Sequence, residues 1–149
     1  MPLPVLQHRM HGEGRLSAIE KIKNWLESAR FTDARIDALD ELIARARSRM
    51  EGSRSGGGGG GGGVKRDFSD ALARIESYED EKRRIMSTYA AVKAAIYEVS
   101  DIRWRTALEL YYLRDYKWAE VAHALGYDEK TIGRWHTCAI EEIKKKTGA

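Results

Sequence analysis

The chain has 149 residues, of which 26 are basic and 23 acidic, and its formal net charge is +3. Only two residues are phenylalanine, the two prolines stand at positions 2 and 4, and eight of the fourteen glycines form one run. Outside that run the chain is rich in Ala, Arg, Glu, Ile and Leu, a composition typical of helices. It excludes a β-sandwich or β-barrel and predicts an all-α protein.

A single cysteine, Cys138, excludes a disulfide framework within the chain and any zinc site built from cysteines. No apolar stretch approaches the roughly 18 residues that a membrane span requires, and the first residues turn polar too soon for a secretory signal. We therefore expect a cytoplasmic protein with no membrane partner. A net charge of +3 is too small to indicate a nucleic-acid partner by itself.

The first third of the chain predicts a flexible arm followed by helix. Residues 1–14 contain both prolines, two histidines and two glycines without any apolar period, which is typical of a loose arm. Over residues 15–50 apolar side chains recur every three or four positions. This spacing favours one helix, straight or kinked, over two helices that break near Thr32 and Asp33.

Residues 51–66, which include the run Gly56 to Gly63, predict a flexible linker, because each glycine costs a helix about 1 kcal/mol relative to alanine. The sequence does not show whether the run is natural or engineered. Residues 67–100 predict a second long helix with a heptad seam that contains one polar residue, Lys82. The two helical regions bury each other as an antiparallel, coiled-coil-like hairpin, or they pair with a second copy as a homodimer.

Residues 101–149 predict a domain of three short helices, the first over 103–114. The second covers 118–125, and Gly126 follows it, where the end of a helix favours a residue with positive φ. Asp128 is then the expected N-cap of the last helix. The last two helices form a helix-turn-helix. The side chains predicted to lie between these two helices are Val121, Ala122, Ile132 and Trp135.

The second helix of such a unit enters the major groove of DNA with the outer face of its first turns. Arg134, Lys130 and Thr131 are the residues predicted to contact the groove, while Glu129 would tune selectivity. Lys117 and the terminal lysines would hold the phosphate backbone. The full set of predicted DNA-binding residues is Lys117, Glu129, Lys130, Thr131, Gly133, Arg134, Thr137, Lys144 and Lys145.

The remaining chemistry-bearing residues predict structural roles. The aromatic core of the C-terminal domain is expected to comprise Trp104, Tyr111, Tyr112, Tyr116, Trp118 and Trp135. Cys138 is predicted to be a small apolar residue near that core. The histidines lie apart, without carboxylates at metal-ligand spacing, and the acidic residues alternate with Lys and Arg. We therefore predict no metal site, no cofactor, no catalytic residue and no enzymatic activity.

Residues 103–146 resemble region 4 of sigma-70-type factors. The stretch RWRTALELYYLR resembles the opening helix of that region, WAEVAHALGY its first motif helix, and TIGRWHTCAIEEI its recognition helix. Gly133 stands where sigma factors often carry a basic residue and His136 where they often carry an acid, so recognition of the −35 promoter element does not transfer residue by residue. A region 2 is also missing.

Over residues 15–149 the layout is similar to small phage-encoded regulators of the ArpU/RinA type, in which two long helices precede a sigma-like module. This resemblance implies control of phage or prophage genes, commonly late genes, with RNA polymerase as a partner. The predicted function is sequence-specific binding of double-stranded DNA to regulate transcription. The alternatives are a DNA-packaging protein similar to a small terminase subunit, and an adaptor that contacts RNA polymerase without binding DNA.

Overall fold

A computed structural model describes residues 16–55 and 61–148, and within these ranges the chain is all-α, with no strand. The predicted arm over 1–14 lies outside the described residues. The helices, in chain order, are α1 (Ala18–Glu27), α2 (Thr32–Ser55), α3 (Gly61–Tyr97), α4 (Ile102–Leu108), α5 (Trp118–Leu125) and α6 (Glu129–Thr147), with a π-helical turn at Glu109–Leu113 directly after α4. The chain divides into two compact units, residues 32–87 and the described parts of 1–31 and 88–149.

The single helix predicted over 15–50 is wrong, because α1 ends at Glu27 and α2 begins at Thr32. Between them Phe31 has φ +61°, a left-handed conformation that a bulky residue adopts only when its surroundings enforce it. The Phe31 N–H donates to Oδ1 of Asp115 at 2.8 Å. This tertiary contact provides a physical reason for the break, which an apolar period cannot reveal.

Arg30 closes the end of the helix that comprises α4 and the π-helical turn. The last carbonyls of a helix lack partners inside it. The Arg30 guanidinium donates to the carbonyl oxygens of Tyr111 and Tyr116, both at 3.0 Å. It also lies 3.9 Å from the centre of the Tyr111 ring. A cation at the C-terminal end of a helix also interacts favourably with the helix dipole. Through these contacts Arg30 joins the end of α1 to the C-terminal helices.

The unit formed by α1, the end of α3 and the C-terminal helices has one main apolar core. Side chains from α1 and α3 pack there against α4, the π-helical turn and α6. Its largest fully buried members are Ile22, Leu26, Val92, Ile96, Val99, Leu108, Tyr112 and Ile140. Each such side chain contributes about 1.5–3 kcal/mol to folding.

Helices α2 and α3 pack as the predicted hairpin. Ile43 and Ala46 of α2 are buried with Ile75 of α3. Lys82, the polar residue in the seam of α3, donates to Oδ1 of Asp40 at 2.6 Å. That hydrogen bond raises the pKa of Lys82 above its usual value, so the lysine remains charged in its position between the helices.

Helical structure extends into both ends of the linker predicted over 51–66. Residues 51–55 end α2 and residues 61–66 begin α3, whereas 56–60 lie outside the described residues. Glycine can adopt helical backbone angles, and its cost of about 1 kcal/mol per residue is tolerable where a long helix is extended by a few positions. At its other end α3 stops at Tyr97, three residues before the predicted boundary.

We predict that Asp115→Ala lowers the free energy of unfolding of the unit that contains α1 and the C-terminal helices by about 1–2 kcal/mol. The Phe31 N–H loses its acceptor, and alanine tolerates the φ of +64° at position 115 less well than aspartate does. Asp115→Asn keeps an acceptor oxygen and tolerates this conformation, so it should cost well under that amount. Urea denaturation followed by tryptophan fluorescence measures both. Equal stability of the Ala variant and the wild type would show that the contact does not stabilise the break.

Candidate nucleic-acid interface

The two helices of the predicted helix-turn-helix begin and end where the sequence indicates. The backbone N–H of Lys117 donates to Oε1 of Glu120 at 2.8 Å, at the start of α5. Gly126 ends α5 with φ +77°, and its N–H donates to the carbonyl of Ala122 at 2.9 Å. Asp128 then caps α6 by accepting from the N–H of Thr131 at 2.8 Å. The hydrogen bonds from Thr131 hold the pKa of Asp128 below its usual value.

A small apolar cluster holds α5 against α6. The buried members are Ala107, Val121, Ala122, Ile132 and Trp135. Ala122 is small where the two helices meet, and Gly126 permits the tight turn between them. All four side chains predicted to lie between the motif helices are buried in this cluster, so the inner faces of α5 and α6 agree with the sequence analysis.

An aromatic layer lies beside that cluster. The rings of Tyr111 and Trp118 stack with their centres 3.9 Å apart and their planes 7° from parallel. Trp135 and Tyr112 are buried, and Trp104, Tyr111 and Trp118 are half-buried. Tyr116 is exposed, so its assignment to the core is wrong. It follows the end of the π-helical turn, where the chain has already left the packed helices.

His136 of α6 belongs to this layer, which the sequence analysis did not foresee. Its Nε2 lies 2.7 Å from the hydroxyl of Tyr112, which is 2% exposed. Burial disfavours the charged imidazole and Lys23 adds repulsion, which together lower the pKa of His136 to about 4. Burial also raises the pKa of Tyr112. Both groups are therefore neutral near pH 7, and the hydrogen bond links α6 to the π-helical turn.

The outward face of α6 carries one continuous stripe of predicted site residues. Lys130, Gly133, Arg134 and Thr137 are exposed and follow the helical spacing of three, four and seven positions. Glu129 is also exposed, one residue before Lys130, and Thr131 is half-buried. Nη2 of Arg134 donates to Oγ1 of Thr131 at 3.2 Å. In the described part of the chain no carboxylate forms an ion pair with Lys130 or Arg134.

The remaining predicted residues lie apart from this stripe. Lys117 is exposed at the start of α5, whereas Lys144 is half-buried and Lys145 exposed in the last turn of α6. Ten or eleven residues of helix separate the two lysines from Arg134, about 15 Å along the axis. Their neighbour Lys146 forms an ion pair with Glu142 at 3.0 Å. The structure therefore brings together the residues of the first turns of α6 but not the terminal lysines.

Cys138 is exposed, so its prediction as a residue near the core is wrong. The next two positions, Ala139 and Ile140, fill the core, which places Cys138 on the outer side of α6 beside Thr137. Glu141 is exposed four residues after Thr137 and was not selected from the sequence. The period of the buried residues in α6 identifies both positions as outward-facing. Glu129 and Glu141 therefore flank the basic stripe.

Several carboxylates of this unit accept hydrogen bonds at the ends of helices. Asp101 accepts from the N–H of Arg103 at 2.8 Å and also binds its guanidinium, and these bonds lower the pKa of Asp101 to about 2. Glu120 accepts from Lys117 at the start of α5. Glu142 accepts from the N–H of Ser100 at 2.8 Å. These negative charges are thus bound near helix ends rather than beside Arg134.

The described ranges contain neither a metal-binding cluster nor a membrane-spanning helix. No group of three or more His, Cys, Asp and Glu side chains is arranged there to hold a metal ion. None of the helices described is long and apolar enough to cross a membrane.

Comparison of the chain with family models, with curated proteins and with solved structures finds no match. The resemblance to sigma region 4 and to phage regulators therefore stays a prediction.

We predict opposite effects for two glycines of the motif. An added Cβ meets no atom within 4 Å at either Gly126 or Gly133, so only backbone conformation differs between the sites. Gly126→Ala should lower the free energy of unfolding by about 1 kcal/mol, because φ there is +77°. Gly133→Ala, inside α6, should raise it by about 0.5–1 kcal/mol. Urea denaturation measures both, and equal signs would contradict this account of the turn.

We also predict that His136 makes stability depend on pH. Its pKa is about 4 in the folded chain and close to 6.5 when unfolded. The unfolded chain therefore binds more protons between these values, and stability falls by up to about 3 kcal/mol as the pH drops from 6.5 through 4.

His136→Gln should flatten this part of the curve of unfolding free energy against pH. The control is His123→Gln, which replaces an exposed histidine and retains the buried imidazole of His136. Superimposable curves for the wild type and His136→Gln would show that the buried imidazole does not cause the dependence.

Proposed function

We propose that this chain is a sequence-specific DNA-binding protein that regulates transcription and that inserts the first turns of α6 into the major groove. The observation that supports this proposal most strongly is the stripe of Lys130, Gly133, Arg134 and Thr137 on the second helix of a helix-turn-helix. The opposite face of that helix is buried in the core, so these side chains are directed away from it.

Three residues of the stripe and several predicted residues outside it have roles that their chemistry supports. Arg134 can donate two hydrogen bonds to the O6 and N7 atoms of a guanine, and Lys130 can contact a guanine edge or a phosphate. Gly133 has open space above its Cα, which allows the backbone to approach the DNA closely. Thr131 contacts the groove, and Glu129 selects against bases that offer only acceptors. Lys117 and Lys145 bind backbone phosphates.

The genes under control are, in this proposal, phage or prophage genes, and RNA polymerase is a further partner. Both statements rest on the resemblance of 15–149 to phage-encoded regulators. The long helices α2 and α3 provide a possible contact surface for a second copy. A packaging protein would instead assemble as a ring, so the mass of the particle in solution separates these functions: a monomer or dimer is expected here, and a ring of many copies would favour packaging.

We predict that Arg134→Ala lowers specific DNA binding by at least about 1 kcal/mol, because it removes the guanidinium that contacts base edges. Fluorescence anisotropy measures it with labelled duplexes from the neighbourhood of the gene and with random duplex, from about 50 to about 300 mM salt. Arg84→Ala is the matched control, since Arg84 is exposed on α3 and pairs with Glu81 at 2.9 Å. It changes the net charge equally and should leave binding unchanged.

Lys145→Ala should weaken binding to all duplexes alike and reduce the salt slope by about one, as loss of one phosphate contact does.

Wild-type affinity in the Arg134→Ala variant would show that this arginine does not contact the DNA. Absence of binding by the wild type at about 50 mM salt would overturn the groove assignment and favour the adaptor function, which a polymerase pull-down would then test.

A further inference from the structure

The hairpin of α2 and α3 contains a second basic site that the helix-turn-helix does not use. An open cavity of about 210 Å³ lies on its surface. The cavity is lined by three arginines, one aromatic side chain and two aliphatic side chains. Helix α2 contributes Leu42, Arg45, Ala46 and Arg49, and helix α3 contributes Arg74 and Tyr78. All six residues belong to the unit of residues 32–87.

Two of these arginines have no ion-pair partner among the residues that the structure describes. Arg45 forms an ion pair with Glu41 at 2.7 Å. In the described part of the chain, by contrast, neither Arg49 nor Arg74 lies within ion-pair distance of a carboxylate. Three other cations of the same hairpin do have such partners: Lys82 pairs with Asp40, Arg83 with Asp80 and Arg84 with Glu81.

Guanidinium groups gathered around one cavity repel each other, and an anion bound between them removes that repulsion. The planar fork of arginine donates parallel hydrogen bonds to the oxygens of phosphate or carboxylate. One carboxylate would neutralise only one of the two unpaired charges, whereas a phosphate group with two negative charges matches both. The apolar side chains of Leu42 and Tyr78 offer contact to the organic part of such a ligand.

We infer that the cavity between α2 and α3 is a binding site for phosphate groups, held by Arg49 and Arg74 with help from Arg45. The two negative charges belong either to one terminal phosphate of a free phosphorylated molecule or to two neighbouring phosphodiesters of a nucleic-acid backbone, each of which carries one charge. This inference is independent of the proposed function, because every residue that carries it lies on the hairpin and none lies on α6.

Isothermal titration calorimetry of the full chain with sodium pyrophosphate, in metal-free buffer, tests the inference. The wild type should bind pyrophosphate, and the double variant Arg49→Gln with Arg74→Gln should bind at least about tenfold more weakly, since charged hydrogen bonds are lost. The matched control is Arg47→Gln with Arg83→Gln. It removes the same charge from the same two helices outside the cavity and should change the affinity less than about twofold.

Three results would show that the cavity is not an anion site: no binding of pyrophosphate by the wild type, equal affinities of the wild type and the cavity variant, or equal losses in the cavity and control variants. Malonate, a dicarboxylate, should bind more weakly than pyrophosphate. Malonate affinity equal to that of pyrophosphate would overturn the assignment to phosphate. Circular dichroism at the same temperature verifies that each variant keeps the helix content of the wild type.

Binding of random duplex DNA distinguishes the two sources of the phosphate. It is measured for the Arg134→Ala variant, in which the groove contact is removed, with and without the two cavity substitutions. If the cavity variant weakens duplex binding there, the site takes backbone phosphate. If it weakens only pyrophosphate binding, the site takes a free phosphorylated molecule. Both results support a phosphate site, and neither depends on whether α6 reads DNA, so failure of the groove assignment leaves this test unchanged.

Discussion

The unit that contains α1 and the C-terminal helices depends on the contacts of one side chain, the guanidinium of Arg30. One guanidinium donates to two backbone carbonyls beyond α4, stacks on Tyr111 and lies 3.8 Å from a carboxylate oxygen of Glu27. The carbonyl of Tyr111 belongs to a helix end, where it has no partner within the helix, and that of Tyr116 lies in the segment that follows. The following residue, Phe31, donates to Asp115, so two successive residues tie α1 to the segment between the π-helical turn and α5.

This connection affects the candidate interface through the aromatic layer. Tyr111, held by Arg30, stacks on Trp118 at the start of α5. Tyr112 forms a hydrogen bond with His136 of α6. The same π-helical turn therefore contacts both helices of the motif. Because α6 is packed on this inner side, the opposite side with Lys130 and Arg134 remains exposed, as a surface that reads DNA requires.

The hairpin uses charge differently from the C-terminal unit. At its seam, Lys82 reaches across to Asp40, so a polar residue is accommodated by an ion pair with the neighbouring helix. Arg83 and Arg84 find carboxylates three residues earlier on their own helix. Arg49 and Arg74 have no such partner in the described residues, although they line the same cavity. Two such arginines that line one cavity are more informative than the total charge, which is only +3.

The sequence by itself determined the fold class, the inner face of the helix-turn-helix and the local signals at its turn. These properties are local: an apolar period selects the buried side of α6, Gly126 permits positive φ, and Asp128 caps the next helix. The stripe from Lys130 to Thr137 follows from the same period. The hairpin of α2 and α3 was one of two pairings that the sequence left open.

Only the tertiary structure decided the break at Phe31, the exposure of Tyr116, the pairing of His136 with Tyr112 and the gathering of three arginines around one cavity. Each depends on residues far apart in the chain, as in the contact of Phe31 with Asp115 or the approach of Arg49 to Arg74. A sequence pattern reports which side of a helix is apolar. It does not report which atoms of another helix will contact that side. Those contacts determine the backbone conformation at Phe31, the pKa of His136 and the side chains that line the cavity of the hairpin.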